Sequence, residues 1–157
     1  MRRLCLFLFL LGSLGLATET RGKEPVPTGA IVKVLPLLLN RTGHDALSPS
    51  LFDRDAYQFY LRAHTNEISG IRYDVLWKAR TPAGQPVKIK VELKAVGPDG
   101  GPRAKTLEIT VNPGRFRHWT EIPLTGEDFV KLGPVVAWRT SIWAGDQLLG
   151  SQQSFLW

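Results

Sequence analysis

Cysteine is nearly absent from this chain: the one cysteine, Cys5, lies within an N-terminal apolar run. That run follows two arginines, extends from Leu4 to Leu16, and ends in the small residue Ala17. This pattern predicts a cleaved signal peptide over residues 1–17. The mature chain would then contain no cysteine, which excludes disulfides, thiol catalysis and metal sites built on thiolates.

No apolar run is long enough to cross a bilayer comfortably, since about 20 residues are needed. We therefore expect no stable membrane span after the signal is removed. The predicted location is the bacterial periplasm or the medium, and the lack of disulfides favours the periplasm. Residues 18–28 are polar, contain Pro25 and Pro27, and predict a short tether. Residues 29–157 are expected to form a single domain, because no internal repeat divides them.

Catalytic motifs are also missing. The chain has no metalloprotease His-Glu-x-x-His pattern, no Gly-x-Ser-x-Gly turn and no glycine-rich phosphate loop. His44, His64 and His118 are not at chelating distances in sequence, so we expect them to be exposed to solvent and predict no metal. We expect no cofactor and no enzymatic activity. An unrecognised hydrolase with a pair of acidic residues stays open as an alternative.

The segment Asp53-Arg54-Asp55 suggests calcium binding, but it lacks the alternating oxygen ligands, glycine and closing glutamate of a calcium loop. A structural role is favoured instead. Asp53 would cap a helix, and Arg54 or Arg62 would pair with a neighbouring carboxylate.

The clearest pattern in the chain is apolar residues alternating with polar ones from Ile71 onward. It marks strands that have one buried and one wet face, as in antiparallel sheets. Turn clusters rich in glycine and proline separate the runs. The alternating apolar positions are Ile71, Tyr73, Val75, Trp77; Ile89, Val91, Leu93, Ala95; and Leu107, Ile109, Val111.

Three further segments predict strands. Ile31–Leu39 is rich in branched residues and ends at a turn signal, and 116–123 is a second candidate. The segment 135–157 predicts a β-hairpin about Ala144–Gln147 that continues to the final residue.

A short helix is predicted near residues 50–64, where apolar residues follow helical spacing and Ser50 with Asp53 resembles a capping box. A strand remains an alternative there, with Tyr57, Phe59, Leu61 and Ala63 on one of its faces. The helical positions are Phe52, Ala56, Phe59, Tyr60 and Ala63. A helical turn is predicted near 126–132, with Thr125 as its cap and Gly133-Pro134 as its end.

About seven strands at this spacing predict an all-β protein, an antiparallel sandwich of the immunoglobulin-like or fibronectin type. Trp77 and Trp138 are the candidates for the centre of its core. Trp143 falls on the opposite face of its strand from Trp138, and Trp157 would anchor a docked final strand.

The best candidate for binding is the segment 114–119, Gly-Arg-Phe-Arg-His-Trp. Arginines interleaved with aromatic residues can pair with acidic groups while an aromatic ring stacks on a sugar. We predict binding roles for Arg115, Arg117 and Trp119, and for Trp143 in the closing hairpin. The structural alternative places one aromatic residue of this segment in the core and the arginines on the wet face.

These observations predict a periplasmic or secreted, non-enzymatic β-sandwich that binds an envelope protein or an anionic glycan. The net charge of +6 is modest, and an exported protein is not expected to bind nucleic acid. A small eight-stranded outer-membrane barrel is a further alternative, because such barrels commonly end on an aromatic residue. The last strand disfavours it, since Gln153 and Ser151 interrupt the stripe that would face lipid.

The segment from Ser48 to Gln58 (SPSLFDRDAYQ), the triplet Ala137-Trp138-Arg139 and the ending Ser-Phe-Leu-Trp resemble a family of small secreted bacterial proteins of unknown function. The resemblance covers most of the mature chain. It implies a location in the bacterial envelope and no particular activity or site.

Overall fold

The computed structural model describes residues 26–157, and this part of the chain contains seven β-strands and two α-helices. The predicted signal peptide and residues 18–25 of the predicted tether lie outside the described residues. The elements are β1 Thr28–Asn40, α1 Leu51–Ala63, β2 Ile68–Arg80, β3 Val87–Val96, β4 Pro102–Val111, β5 His118–Thr125, α2 Gly126–Leu132, β6 Val135–Ala144 and β7 Gln147–Gln153. Between residues 26 and 157 no helix has the length and apolar character to cross a membrane.

The strands form two separate antiparallel sheets, and neither sheet closes on itself. The three-stranded sheet has the order β1-β2-β5, and the four-stranded sheet has the order β4-β3-β6-β7. In a constant-type immunoglobulin domain the fourth strand joins the sheet of the first two strands. Here the fourth strand pairs with the third, which is the fibronectin-type alternative. The predicted sandwich of seven antiparallel strands is confirmed.

The core lies between the inner faces of the two sheets, where the alternating residues of β2 and β3 meet. Burial of these side chains supplies the main driving force for folding. The predicted alternation is confirmed, since the following residues are at most 1% exposed: Tyr73, Val75, Trp77, Ile89, Val91 and Leu93.

Both tryptophans predicted for the core contribute to it, but to different degrees. Trp77 is fully buried, and its indole N–H donates to the Thr120 hydroxyl at 2.8 Å. Trp138 is only half-buried and packs at the border of the core. Its ring meets Tyr73 edge-on, with 6.4 Å between the ring centroids.

Both predicted helices are present. Ser50 caps α1 by accepting a hydrogen bond from the Asp53 N–H at 3.4 Å, as the capping pattern predicted. Thr125 occupies the cap position of α2, but its side chain makes no capping hydrogen bond. Helix α2 ends at Gly133, whose φ of 77° lies in the left-handed region that glycine adopts without strain.

Helix α1 lies against the open edge of β1, and two of its side chains, Gln58 and Tyr57, form hydrogen bonds with that strand. The Gln58 carboxamide accepts from the Leu38 N–H at 2.8 Å and donates to the Leu38 carbonyl at 2.9 Å. It also donates to the Asp45 carbonyl at 2.8 Å. Because β1 is an edge strand, these bonds replace those that a neighbouring strand would make. Gln58 and Leu61 are the two buried residues of α1.

The closing hairpin is confirmed, with Gly145 at a φ of 55° in its two-residue turn. The prediction that its last strand continues to the final residue is wrong, because β7 ends at Gln153. The chain then turns, and Ser154 fixes it through a backbone N–H donated to the Trp138 carbonyl at 2.9 Å. Trp157 folds back as an anchor over the outer face of the four-stranded sheet, where its ring lies beneath Lys94.

The strand predicted over 116–123 is displaced toward the C-terminus. β5 begins at His118, and Phe116 and Arg117 lie in the loop before it. Pairing with β2 decides this start, since the first bridged pair is Trp77 with His118. His118 faces inward, whereas Phe116 is 74% exposed, so the alternation assumed across this segment is wrong at Phe116.

We expect replacement of Gln58 by alanine to lower the free energy of unfolding by about 2 kcal/mol, because the N–H and C=O of Leu38 lose their partners. Gln85→Ala is the matched control, since Gln85 is exposed and should change stability by less than about 0.5 kcal/mol. Urea unfolding followed by circular dichroism measures both values. Equal losses in the two variants would contradict the role given to Gln58.

Candidate binding site: a basic groove

A groove of about 690 Å³ opens at one end of the three-stranded sheet. Three segments form it: the start of β1, the end of β2, and the loop that precedes β5. Its volume falls within the range of sites that hold small ligands. The lining residues are Thr28, Gly29, Ala30, Lys78, Ala79, Arg80, Gly114, Arg115, Phe116 and Arg117.

The groove is strongly basic, because Lys78, Arg80, Arg115 and Arg117 line it and no carboxylate of residues 26–157 does. All four side chains are exposed. None of them forms an ion pair with a carboxylate of residues 26–157. Four cations on a concave surface create a positive potential that attracts anions from solution.

Strand geometry places two of these cations. On β2, Lys78 and Arg80 alternate with the buried Ala79 and therefore point away from the core. Opposite them on β1 stand Ala30 and Thr28, paired with Lys78 and Arg80 respectively. These small residues leave open space beside the long cationic side chains.

The loop that carries the other two cations is held close to β5 by a glycine. A side chain at Gly114 would collide with the His118 ring, so the loop can pass there only because glycine has no Cβ. His118 is half-buried beneath the loop, 5.6 Å from Trp77 between ring centroids. The expected exposure of the histidines is therefore correct for His44 and His64 but wrong for His118.

Phe116 lies between the two arginines of the loop and is 74% exposed. The Arg115 guanidinium carbon is 5.8 Å from the centroid of the Phe116 ring. The structural alternative is correct in placing both arginines outside the core. Neither Phe116 nor Trp119 is buried, and the ring of this segment that faces inward is that of His118. The groove thus presents an apolar ring beside its cations.

The four residues predicted to bind do not come together. Arg115 and Arg117 line the groove. Trp119 lies on the outer face of β5 opposite Leu76, is 52% exposed, and is not part of the lining. Trp143 lies on the other sheet.

Trp143 is already engaged with its neighbours on the outer face of the four-stranded sheet. Its indole N–H donates to the Ser141 hydroxyl at 2.8 Å, and the Lys90 ammonium is 5.8 Å from its ring centroid. It stands opposite Lys88. Its position on the opposite face of the strand from Trp138 is as predicted, and it is not part of the groove lining.

Sequence reasoning missed Lys78, Arg80 and Phe116. The alternation of β2 already placed Lys78 on the wet face, and extending it by two residues would have added Arg80. No sequence signal showed that these residues meet the loop before β5, because that contact depends on the pairing of Trp77 with His118.

Most of the cations elsewhere on the sheets have a partner, with Lys33 on β1 as the exception among residues 26–157. Arg72 donates to the Asp74 carboxylate at 2.7 Å and lies 3.4 Å from Asp45 and 3.5 Å from Glu121. The bond to Asp74 raises the pKa of Arg72 above its ordinary value. Arg54 approaches Asp55 at 3.8 Å, in line with the expected local pairing.

The most elaborate of these clusters is on the outer face of the four-stranded sheet. Arg139 donates two hydrogen bonds to Glu92, at 2.8 and 2.9 Å. The Trp157 ring lies 4.1 Å from the Lys94 ammonium and 4.8 Å from the Arg139 guanidinium carbon. Since each cation already has a partner, this cluster is a stabilising element and not an open site.

Within residues 26–157 no group of three or more histidine, cysteine or acidic side chains is arranged to hold a metal ion. The Asp53 carboxylate accepts from the Ser48 hydroxyl at 2.6 Å at the start of α1. The capping role expected of Asp53 is filled by Ser50 instead, so that part of the prediction is wrong.

Comparisons with known proteins bear on the fold alone. No protein-family model matches the chain, and a search of curated proteins found no match. A solved structure of a protein from Akkermansia muciniphila is similar, with a TM-score of 0.53 and 11% sequence identity. The match covers 82% of this chain and 71% of that chain, and it supports the β-sandwich architecture.

We expect Glu92→Gln to cost about 1 kcal/mol of stability at pH 7 and progressively less at acid pH. The Arg139 hydrogen bonds hold the pKa of Glu92 below its ordinary 4.5. A carboxyl group with a lowered folded pKa stabilises above its unfolded pKa and loses this effect as the pH falls through the folded value. Urea unfolding at pH 7, 4.5 and 3 should therefore show the two proteins converging.

The control for this measurement is Glu127→Gln, which removes an exposed carboxylate paired with Lys131 on α2. It should change stability by less than about 0.5 kcal/mol at pH 7. A constant difference between wild type and Glu92→Gln at all three pH values would show that the ion pair does not contribute as described.

Proposed function

We propose that this protein is a periplasmic or secreted, non-enzymatic β-sandwich module that binds an anionic glycan in its basic groove. One observation carries the proposal: four cationic side chains line the groove, and no carboxylate of residues 26–157 forms an ion pair with them. An anionic ligand would supply the missing negative charge.

The chemistry of the groove suits a charged sugar. Guanidinium groups of Arg80, Arg115 and Arg117 can each donate two parallel hydrogen bonds to a carboxylate, sulfate or phosphate group. The exposed Phe116 ring offers an apolar surface for the C–H face of a sugar ring. A flat or purely charged surface would lack this second element.

A binding role is favoured over hydrolysis because of what lines the groove. Its lining contains cations, an aromatic ring and small residues, and within residues 26–157 it contains no carboxylate pair to act as general acid and base. The proposed location rests on the signal-like pattern of residues 1–17, and an exported protein meets envelope glycans more readily than nucleic acid.

The proposal predicts that the protein binds dextran sulfate and polygalacturonate but not neutral dextran, with an affinity that falls as salt is raised. The double variant Arg115→Ser/Arg117→Ser should weaken binding at least tenfold, because half of the groove's positive charge is lost. Isothermal titration calorimetry of the purified protein measures both effects.

The matched control is Arg103→Ser/Lys131→Ser, which removes the same charge at exposed positions outside the groove. It should change the affinity less than twofold. Equal weakening by both double variants would mean that net charge, and not the groove, attracts the glycan. If polyglutamate binds more strongly than either anionic glycan, the ligand of the groove is an acidic protein and not a glycan.

A further inference from the structure

Helix α1 turns its apolar stripe toward solvent. Phe52 and Phe59 are 81% and 74% exposed, and Ala56 and Ala63 on the same stripe are exposed as well. The spacing of these four residues, in steps of four, three and four, places them along one line of the helix.

The opposite side of the helix is the buried one, and it carries the polar Gln58 together with Leu61. A surface helix ordinarily buries its apolar stripe against the core. A contiguous exposed apolar surface of this kind marks an interaction site.

We propose that this stripe is the contact surface for a second copy of the chain, with the two α1 helices packed antiparallel about a twofold axis. Large and small side chains of the stripe are spaced so that two copies of it fit together. With the axis passing midway between residues 57 and 58, Phe52 faces Ala63 of the second copy and Ala56 faces Phe59. Each large side chain therefore meets a small one, as close helix packing requires.

The charges along the stripe are also self-complementary. Asp55 and Arg62 lie on the same flank of the stripe, seven residues apart, and both are exposed. In the antiparallel pair Asp55 of each copy lies near Arg62 of the other, which gives two equivalent ion pairs. Within residues 26–157 Arg62 has no ion pair of its own.

A lipid surface suits the helix less well. Helices that lie on anionic membranes are rich in lysine and arginine on the polar face. Helix α1 carries two aspartates, Asp53 and Asp55, and two arginines, Arg54 and Arg62, so it has no excess of positive charge.

The dimer would be weak and reversible. The two phenylalanines of each copy would bury about 150 Å² apiece, so with the alanines between them the whole interface stays below about 1,000 Å². Interfaces of this size belong to weak, transient complexes, whose dissociation constants lie in the micromolar range or above.

Sedimentation equilibrium of the purified protein, expressed from the full chain, tests the proposal. Wild type should show a monomer–dimer equilibrium. Phe59→Asp should raise the dissociation constant on the order of 100-fold, because both copies place a carboxylate against an alanine. The control Phe155→Asp changes a phenylalanine that is 101% exposed outside the stripe, and it should leave the equilibrium unchanged.

Charge reversal tests the antiparallel arrangement. Asp55→Arg and Arg62→Asp should each weaken the dimer about tenfold, and the double variant should recover most of the wild-type affinity because it restores both ion pairs. A wild type that stays monomeric at millimolar concentration overturns the proposal. So does a dimer unaffected by Phe59→Asp, a double variant no better than the single ones, or a monomer that binds anionic vesicles through Phe59.

Discussion

The inner faces of the two sheets meet around Tyr73, Trp77 and Ile142, and residues 26–157 contain no cysteine to reinforce that contact. Apolar burial must therefore hold the two sheets together. The groove depends on this contact. Trp77 pairs across the three-stranded sheet with His118, whose ring lies under Gly114 and limits how closely the arginine loop can approach.

Edge strands impose the second constraint. The outward backbone groups of Leu38 need partners, and the Gln58 carboxamide supplies them from α1. A buried amide left without hydrogen bonds is costly, so satisfying this edge fixes which side of the helix faces the protein. The apolar stripe of α1 consequently faces outward, and the same hydrogen bonds that protect one edge create the surface proposed for a second copy.

The distribution of charge separates stabilising cations from those available to a ligand. Arg72 and Arg139 are held by carboxylates on the outer faces of the two sheets. The groove collects cations from β2 and from the loop before β5, and in the part of the chain that the structure describes no acidic residue lines it with them. The net charge of +6 alone did not indicate a binding site, because a local positive potential depends on how closely the cations are grouped.

Local patterns in the sequence determined the strands of the sandwich and the helices near 50–64 and 126–132, because periodicity and capping act over a few neighbouring residues. They also placed Trp143 on the outer face. Only the tertiary structure decided that Phe116 lies outside β5, that Lys78 and Arg80 join Arg115 and Arg117, and that α1 exposes its apolar side. Each of these outcomes depends on contacts between segments distant in the chain, which no local pattern encodes.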